Sequence, residues 1–302
     1  MPTNLSDTQD QMHFGGTPTQ RSGQVPPPYG AASRHPRSPD NPLNLLTREA
    51  LTVLGVPLEI TTREAATRLV THWAQNGESK YVCFADVHMV IEAHQCPVFT
   101  EVLRRADMVT PDGTPLSWAL RLLGAKSAQC VDGPRTTPLI LAAAEKAGIP
   151  VGFYGGSPET LSLLLGRVRS NFPRLRIAYF HAPPFRPPTP EEDSVQVDRI
   201  NDSGCRLLFV GLGCPKQELW MRAHKRRVQC TMLGVGAVFD FLAGKKKMPP
   251  EWIQSFGVTF LLRFAQEPRR LGYRYLVLPP VFLALFARQL SCAPLARPGK
   301  GH

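Results

Sequence analysis

The sequence contains no apolar run long enough to cross a membrane. A transmembrane helix needs about 20 predominantly apolar residues, whereas the longest candidate segment, Tyr275 to Ala287, is shorter and is interrupted by Pro279 and Pro280. The N-terminus is polar and does not resemble a secretory signal peptide. We therefore expect a cytoplasmic protein without a membrane span, in which Tyr275 to Ala287 could lie in a membrane interface.

Cysteine pairs and metal-binding motifs are also missing. The seven cysteines are odd in number and include no C-x-x-C pair, so we expect reduced thiols. His88, Glu92 and His94 lie close together in sequence, but their spacing fits no standard zinc motif. There is no Asp-x-Asp motif to hold a divalent ion against a diphosphate. We expect no metal and no cofactor, and a bound diphosphate would have to be neutralised by arginine, lysine and backbone donors.

Acidic residues are scarce in the last part of the chain. Residues 219–302 hold 14 Lys and Arg against 3 Asp and Glu, so this segment carries all of the formal net charge of +11. Such a block could attract nucleic acid, an anionic membrane surface or a pyrophosphate substrate. We expect no nucleic acid, because the known DNA- and RNA-binding signatures are absent. The segment is either a core helix with a solvated basic face or an element docked on an anionic membrane.

Apolar residues are scarce at the N-terminus. Residues 1–42 are rich in Pro, Ser, Gly, Thr and Gln, and offer too little apolar surface to offset the entropy of folding. We predict a disordered tail over 1–42, an α/β domain over 43–250, a basic and partly apolar appendage over 251–290, and a disordered tail over 291–302.

The middle of the chain alternates strand-like and helix-like segments. This alternation predicts a doubly wound, mostly parallel (Rossmann-like) α/β sheet, followed by a basic C-terminal helical appendage. The predicted strands are Tyr81–Val87, Val151–Tyr154, Arg176–Phe180, Leu207–Val210 and Cys230–Val235. The predicted helices are residues 158–170, 191–201 and 216–227.

The segment from Arg206 to Trp220 combines a buried strand with a glycine turn. Gly211 and Gly213 let the backbone turn sharply, so that free N–H groups can face an anion at the start of the next helix. Gly-x-Gly after a strand also opens dinucleotide-binding folds, but the third glycine and the carboxylate of that fingerprint are missing. We expect a phosphate-bearing ligand here, and a nicotinamide-dependent oxidoreductase is kept as an alternative.

Ligands of doubly wound sheets bind beyond the carboxyl ends of the strands. This rule selects Asp86, Asp112, Gly155, Gln217 and Asp240, each of which follows a strand-like segment. From local sequence, Asp112 is either a base that takes a proton from an attacking hydroxyl or a helix cap. Asp240 either binds a ribose or a base, or caps a helix.

Five further motifs occur in order between Leu43 and Leu290. They are TPDGTPLSWALRLLG (110–124), GFYGGSPE (152–159), FVGLGCPKQELW (209–220), GVGAVFDFLAG (234–244) and RFAQEPRRLGYRYL (263–276). Together they resemble the WecG/TagA/CpsF glycosyltransferase family. The resemblance implies inverting, metal-independent transfer of a hexose from a UDP-sugar to a polyprenyl-diphosphate-linked saccharide. It places that reaction at the inner face of a bacterial plasma membrane, in exopolysaccharide or envelope-glycan synthesis.

The resemblance also implies roles for individual residues. Asp112 would be the general base that activates the acceptor hydroxyl. The residues that would face the sugar diphosphate are Gly211, Gly213 and Gln217, and those that would bind the nucleotide end are Gly234, Gly236 and Asp240. The family's C-terminal appendage would help to neutralise the UDP leaving group through Arg263, Arg270 and Arg274.

Three places depart from the family pattern, and at one of them, near the appendage, Thr259 stands where the family has a glutamate. Where the first strand usually ends in Thr-x-Asn, this chain has Phe84 and Asp86, and an aspartate can accept but not donate a hydrogen bond to a sugar hydroxyl. Cys130 stands where the family commonly has an arginine, and Arg135 stands where it has an aspartate. A lost cation could cost on the order of several kcal/mol of transition-state stabilisation, unless Arg135 or the basic tail supplies the charge.

Three hypotheses follow from the sequence. The protein is an active UDP-sugar glycosyltransferase, a family member that binds a nucleotide sugar or lipid-linked glycan with little turnover, or an oxidoreductase. The donor sugar, the acceptor glycan and the formation of a homo-oligomer stay open.

Overall fold

A six-stranded parallel sheet forms the centre of the protein. The computed structural model describes residues 48–246 and 276–292. Its strands are β1 (Ala50–Val53), β2 (Val56–Glu59), β3 (Tyr81–Ala85), β4 (Met108–Pro111), β5 (Val151–Gly155), β6 (Ile177–His181), β7 (Leu207–Gly211) and β8 (Thr231–Gly234). β1 and β2 form an antiparallel hairpin, and the others lie in the order β4-β3-β8-β7-β5-β6 with all pairs parallel. The predicted doubly wound α/β architecture is confirmed.

Helices cover both faces of this sheet. They are α1 (Arg63–Gln75), α2 (Val87–Gln95), α3 (Pro97–Arg104), α4 (Thr114–Leu122), α5 (Gly133–Ala147), α6 (Pro158–Asn171), α7 (Pro190–Asp202), α8 (Lys216–His224), α9 (Val238–Leu242) and α10 (Leu278–Cys292). The side chains of Thr62, Asp86, Ser157 and Thr189 accept hydrogen bonds from backbone N–H groups in the first turns of α1, α2, α6 and α7. These caps define where four of the helices begin.

Two apolar cores lie on the two faces of the sheet. Successive side chains of a strand point to opposite faces, and in β3 Val82 and Phe84 enter one core while Cys83 and Ala85 enter the other. Phe153 and Phe209 stack in the first core with 5.4 Å between their ring centroids, and both are fully buried. Burying one such side chain contributes about 1.5–3 kcal/mol. The sheet is therefore a rigid support for the loops at its edges.

The last described helix, α10, packs on the hairpin and on α2. Pro279 and Pro280 lie in its first turn. Leu278, Phe282 and Phe286 are buried. The side chain of Gln289 accepts a hydrogen bond from Leu54 N at 2.8 Å and donates one to Thr52 O at 2.7 Å. None of the helices in the described part of the chain is long and apolar enough to span a membrane.

The five predicted strands are present, with ends shifted by one or two residues. The hairpin β1–β2, the strand β4 and the helices α1 to α5 were not predicted. The predicted helix over 216–227 ends earlier, at His224, because Lys225 has ψ 128° and leaves the helical conformation. α10 extends to Cys292, two residues past the predicted end of the appendage. The predicted tail over 1–42, the first part of the appendage and residues 293–302 lie outside the described residues.

Candidate active site

The carboxyl ends of the six parallel strands form one edge of the sheet, and the predicted site residues follow these ends. Across the sheet they are Asp112 after β4, Asp86 after β3, Gly234, Gly236 and Asp240 at or after β8, Gly211, Gly213 and Gln217 at or after β7, and Gly155 at the end of β5. Arg263, Arg270 and Arg274 lie outside the described residues. The fold therefore brings nine of the twelve predicted residues to one edge.

Asp112 lies between the end of β4 and the N-terminus of α5. Its backbone N–H donates to Ala85 O at 2.7 Å, which ties it to the end of β3. Its Oδ2 atom accepts a hydrogen bond from Gly133 N at 3.2 Å. The positive end of the α5 dipole stabilises the ionised carboxylate. Gly113, with φ 110°, is the N-cap of α4, so Asp112 does not cap that helix.

Two arginines share one carboxylate at the same helix end. Asp132, the N-cap of α5, is buried and accepts two hydrogen bonds of 2.9 Å from Arg135 Nε through its two oxygens. Arg63 Nε lies 3.3 Å from Asp132 Oδ1. Burial works against the charge of Arg135, but the carboxylates of Asp132 and Asp112 prevail and raise its pKa. The three paired side chains leave one positive charge beside Asp112.

The side chain of Cys130 lies between this cation and Asp112. Its Sγ atom accepts a hydrogen bond from Gly113 N at 3.1 Å and lies 3.8 Å from Arg135 Nη2. Burial, followed by the nearby charges of Asp112 and Asp132, raises the pKa of the Cys130 thiol to about 12. The thiol is therefore protonated at neutral pH, and a reactive role for it is not supported.

Glycines let β5 and β7 end side by side. Gly155 has φ +125°, and a Cβ atom there would lie 2.5 Å from Gly211 O. A Cβ atom on Gly211 would lie 2.7 Å from the ring of Phe239. Gly156 N donates to Gly211 O at 3.1 Å. Close backbone packing is thus sufficient to require glycine at 155 and 211.

Gln217 connects the turns that follow β7 and β8. Its side chain is only 4% exposed. Its Oε1 atom accepts a hydrogen bond from Gly213 N at 3.2 Å, and its Nε2 atom donates to Glu218 Oε1 at 2.7 Å. Cβ atoms added to Gly234 and Gly236 would lie 3.2 and 3.3 Å from its amide. In this structure the amide is therefore bonded to the Gly213 turn.

Sequence reasoning missed Glu218, the neighbour of Gln217. Glu218 is fully buried, and burial raises the pKa of its carboxyl to about 7, although the hydrogen bond from Gln217 acts in the opposite direction. An acidic residue directly after Gln217, in the first turn of a helix that follows a glycine turn, was the signal available in the sequence. Its burial could be seen only in the fold.

Asp86 and Asp240 are half-buried and have local partners. Asp86 caps α2 by accepting from Met89 N at 2.9 Å. Asp240 lies within α9, and its Oδ2 atom is 3.1 Å from Lys246 Nζ. Beside this pair is a cleft of about 490 Å³ between α5, α6 and α9, lined by Pro134, Pro138, Arg167, Val238, Phe241, Leu242, Gly244 and Lys246.

The same residues lie within a longer match to a known family. The model of the Glycosyl transferase WecG/TagA/CpsF family matches residues 51–294. The chain belongs to this family. A member from Bacillus spizizenii, an N-acetylglucosaminyldiphosphoundecaprenol N-acetyl-beta-D-mannosaminyltransferase, is 25% identical over 226 residues, which cover 74% of this chain and 86% of the relative.

Membership of the WecG/TagA/CpsF family removes the basis for the oxidoreductase hypothesis, which depended on a single Gly-x-Gly. It also gives a context for the departure at Cys130 and Arg135. Arg135 reaches back along α5 until its Nη2 atom is 3.8 Å from Cys130 Sγ, at the position where the resemblance implies an arginine. A cation is therefore still present at this place, although it comes from a different residue. Within residues 48–246 and 276–292, no three His, Cys, Asp or Glu side chains are grouped so that they could hold a metal ion.

Proposed function

We propose that the protein is an inverting, metal-independent glycosyltransferase that moves a hexose from a UDP-sugar to a polyprenyl-diphosphate-linked saccharide. The observation that carries this proposal is the position of Asp112, whose carboxylate is held by Gly133 N at the edge where the glycine turns also lie. The name of the relative describes transfer to a sugar on an undecaprenyl diphosphate, which supports the acceptor class. We place the reaction in bacterial exopolysaccharide or envelope-glycan synthesis.

In the proposed reaction Asp112 is the general base. Its carboxylate takes the proton of the acceptor hydroxyl while the hydroxyl oxygen forms a bond to the anomeric carbon of the donor. The bond between that carbon and the UDP oxygen breaks, and UDP leaves with the electron pair. Attack from the face opposite to UDP inverts the anomeric configuration. The N–H of Gly133 keeps the carboxylate oriented without removing its charge.

Fixed donors and cations would stabilise the charge that develops on the leaving diphosphate. We propose that Gly211, Gly213 and Gln217 bind the diphosphate and that Arg135 contributes a guanidinium. Asp86 and Gly155 would complete the sugar side, and Gly234, Gly236 and Asp240 would bind the nucleotide end. We also propose that Arg263, Arg270 and Arg274 of the appendage help to neutralise the UDP leaving group.

The alternative function is binding of a nucleotide sugar or lipid-linked glycan with little turnover. Cys130 in place of an arginine is the observation that favours it. The guanidinium of Arg135 beside Cys130 supports the enzyme instead, because it keeps a cation beside the position where the resemblance implies an arginine.

Acceptor-dependent release of UDP separates the two functions. The full-length protein would be added, with each UDP-sugar of a panel in turn, to liposomes of anionic lipid. The liposomes would carry N-acetylglucosaminyl-diphosphoundecaprenol as the acceptor. Release that requires the acceptor would support the transferase and identify its donor. Binding of a UDP-sugar or of the lipid-linked acceptor without release would support the binding protein, and failure of both ligands to bind would contradict both functions.

We further propose that the protein acts as a peripheral protein on the cytoplasmic face of the membrane. Three apolar side chains at this end of the chain are exposed. Leu276 and Val277, directly before α10, are 66% and 42% exposed, and Leu283 on α10 is 64% exposed. The surrounding segment is strongly basic, which suits an anionic surface.

Vesicle sedimentation tests this surface. A Leu276→Ser, Leu283→Ser double variant should bind phosphatidylglycerol vesicles on the order of tenfold more weakly, because two exposed leucines no longer enter the lipid. Val98→Ser, at a position on α3 that is 69% exposed, is the matched control and should bind like the wild type. Equal binding by all three proteins would overturn the assignment of this surface.

A further inference from the structure

Only one of the two carboxyl oxygens of Glu218 has a strong hydrogen-bond partner in the interior of the protein. Glu218 is 0% exposed, and its Oε1 atom accepts from Gln217 Nε2 at 2.7 Å. Its Oε2 atom is buried and accepts no hydrogen bond from a nitrogen or oxygen donor of the described residues, and the thiol of Cys214 is only a weak partner for the carboxyl. A buried polar atom without a partner costs free energy, and a buried charge without a counter-ion costs more. Such a group calls for a functional explanation.

The ionisable groups around Glu218 are mainly acidic. The charge of Asp86, directly after β3, raises the pKa of Glu218. A hydrogen bond with the thiol of Cys214, in the turn before α8, lowers that pKa in part. Cys83 in β3 also interacts with it. β8, which packs on α8, carries no ionisable side chain. From α3, Glu101 lines an exposed groove that is also lined by Leu219 and Arg222.

The protonation state of Glu218 decides which way the amide of Gln217 must face. A carboxylate only accepts hydrogen bonds, so it requires Nε2 of Gln217 on its side. This orientation turns Oε1 of Gln217 towards Gly213, and Oε1 accepts a hydrogen bond from Gly213 N at 3.2 Å. A protonated Glu218 can instead donate to Oε1 of a rotated amide. The Nε2 atom of Gln217 and the N–H of Gly213 would then both be free to donate to an anion.

We propose that Glu218 is a positioning residue that takes up a proton when the diphosphate of a nucleotide sugar binds at the Gly213 turn, and that the protonated carboxyl rotates Gln217 so that its Nε2 and Gly213 N both face the diphosphate. The proton comes from solvent and returns to solvent when the product leaves. This inference rests on the proposed function, because it deepens the part of Gln217 in donor binding.

Two physical effects act in the same direction. An incoming diphosphate disfavours a buried negative charge near it, and it accepts the two N–H groups that the protonated state releases. With its pKa at about 7 before binding, Glu218 gains a proton at small cost near neutral pH. Donor affinity should therefore be constant below about pH 6 and should fall up to about tenfold per pH unit above pH 7.

Titration calorimetry can count the proton. UDP-N-acetylmannosamine and UDP-glucose are suitable probes, because neither diphosphate diester titrates between about pH 6 and 8. Binding enthalpies measured in buffers of different ionisation enthalpy should show uptake of nearly one proton at about pH 8 and almost none at about pH 6. Binding without proton uptake would overturn this inference alone. Failure of these probes and of every other UDP-sugar in the panel to bind would overturn the proposed function and this inference with it.

The conservative variant distinguishes this role from simple packing. Glu218→Gln is neutral and can donate to Gln217 Oε1 at any pH, so it should bind the donor with the low-pH affinity of the wild type and without proton uptake. Glu59→Gln is the matched control, because Glu59 is a second buried glutamate whose pKa is raised to about 7 and which lies on the hairpin. It should keep the proton uptake. Uptake that persists in Glu218→Gln would contradict the proposal, and the wild-type measurement decides the question if that variant does not fold.

Discussion

The carboxylate of Asp112 accepts a 3.2 Å hydrogen bond from Gly133 N, the first residue of α5. The same helix end carries Asp132 and Arg135, whose guanidinium lies 3.8 Å from Cys130 Sγ. One helix N-terminus thus holds both the proposed base and the guanidinium of Arg135.

Asp112→Asn should abolish most turnover and leave donor binding intact. The amide keeps the shape of the side chain and can still accept from Gly133, but it cannot take a proton from the acceptor. We expect kcat to fall by about 10²–10⁴, measured as acceptor-dependent UDP release, with an unchanged Kd for the UDP-sugar by calorimetry. Asp198→Asn, at an exposed position on α7, should behave as the wild type. Full activity of Asp112→Asn would show that another group is the base.

Arg135→Ala should lower kcat/KM by about 10- to 1,000-fold, because the diphosphate loses a nearby guanidinium. Adding Cys130→Arg to this variant should restore part of the activity, since it returns a cation to the adjacent position. Arg105→Ala, which breaks an exposed pair with Glu101, serves as the control. Unchanged turnover in Arg135→Ala would mean that the charge comes from elsewhere.

Gly155→Ala should destabilise the fold by more than about 3 kcal/mol, because it combines a positive φ with a close contact. The new Cβ would lie 2.5 Å from Gly211 O. Gly148→Ala is the matched control, since its φ is +65° but a Cβ there meets nothing within 4 Å. It should cost only about 1–2 kcal/mol. Urea unfolding of the two variants measures the difference, and equal losses would contradict the packing argument.

Glu59 should make stability depend on pH. Burial raises its pKa from 4.5 to about 7, despite the opposing charge of Arg48, so folding favours the protonated form. The contribution of Glu59 to the free energy of unfolding is complete below about pH 4.5 and is lost as pH rises through about 7. The free energy of unfolding of Glu59→Gln relative to the wild type should therefore rise over this range, by up to about 1.4 kcal/mol per pH unit. Urea unfolding at several pH values checks this, and a constant difference would contradict it.

The sequence predicted the long, strongly apolar strands well and the short elements poorly. β5 and β7 are continuous buried runs, as the parallel sheet requires. β4 has only four residues and ends in Pro111, and its pairing with β3 is what makes it a strand. The hairpin β1–β2 was missed in the same way, because its burial depends on packing against β4, α2, α3 and α4, which come later in the chain.

The sequence by itself determined the fold class, the family and the set of residues at the carboxyl edge, because these depend on local periodicity and on ordered motifs. The tertiary structure decided which of these residues touch. Long-range packing places Arg135 beside Cys130, brings Gly155 against Gly211, and buries Glu218 completely. Burial and charge proximity set the pKa of Glu218, and both arise only when distant segments meet.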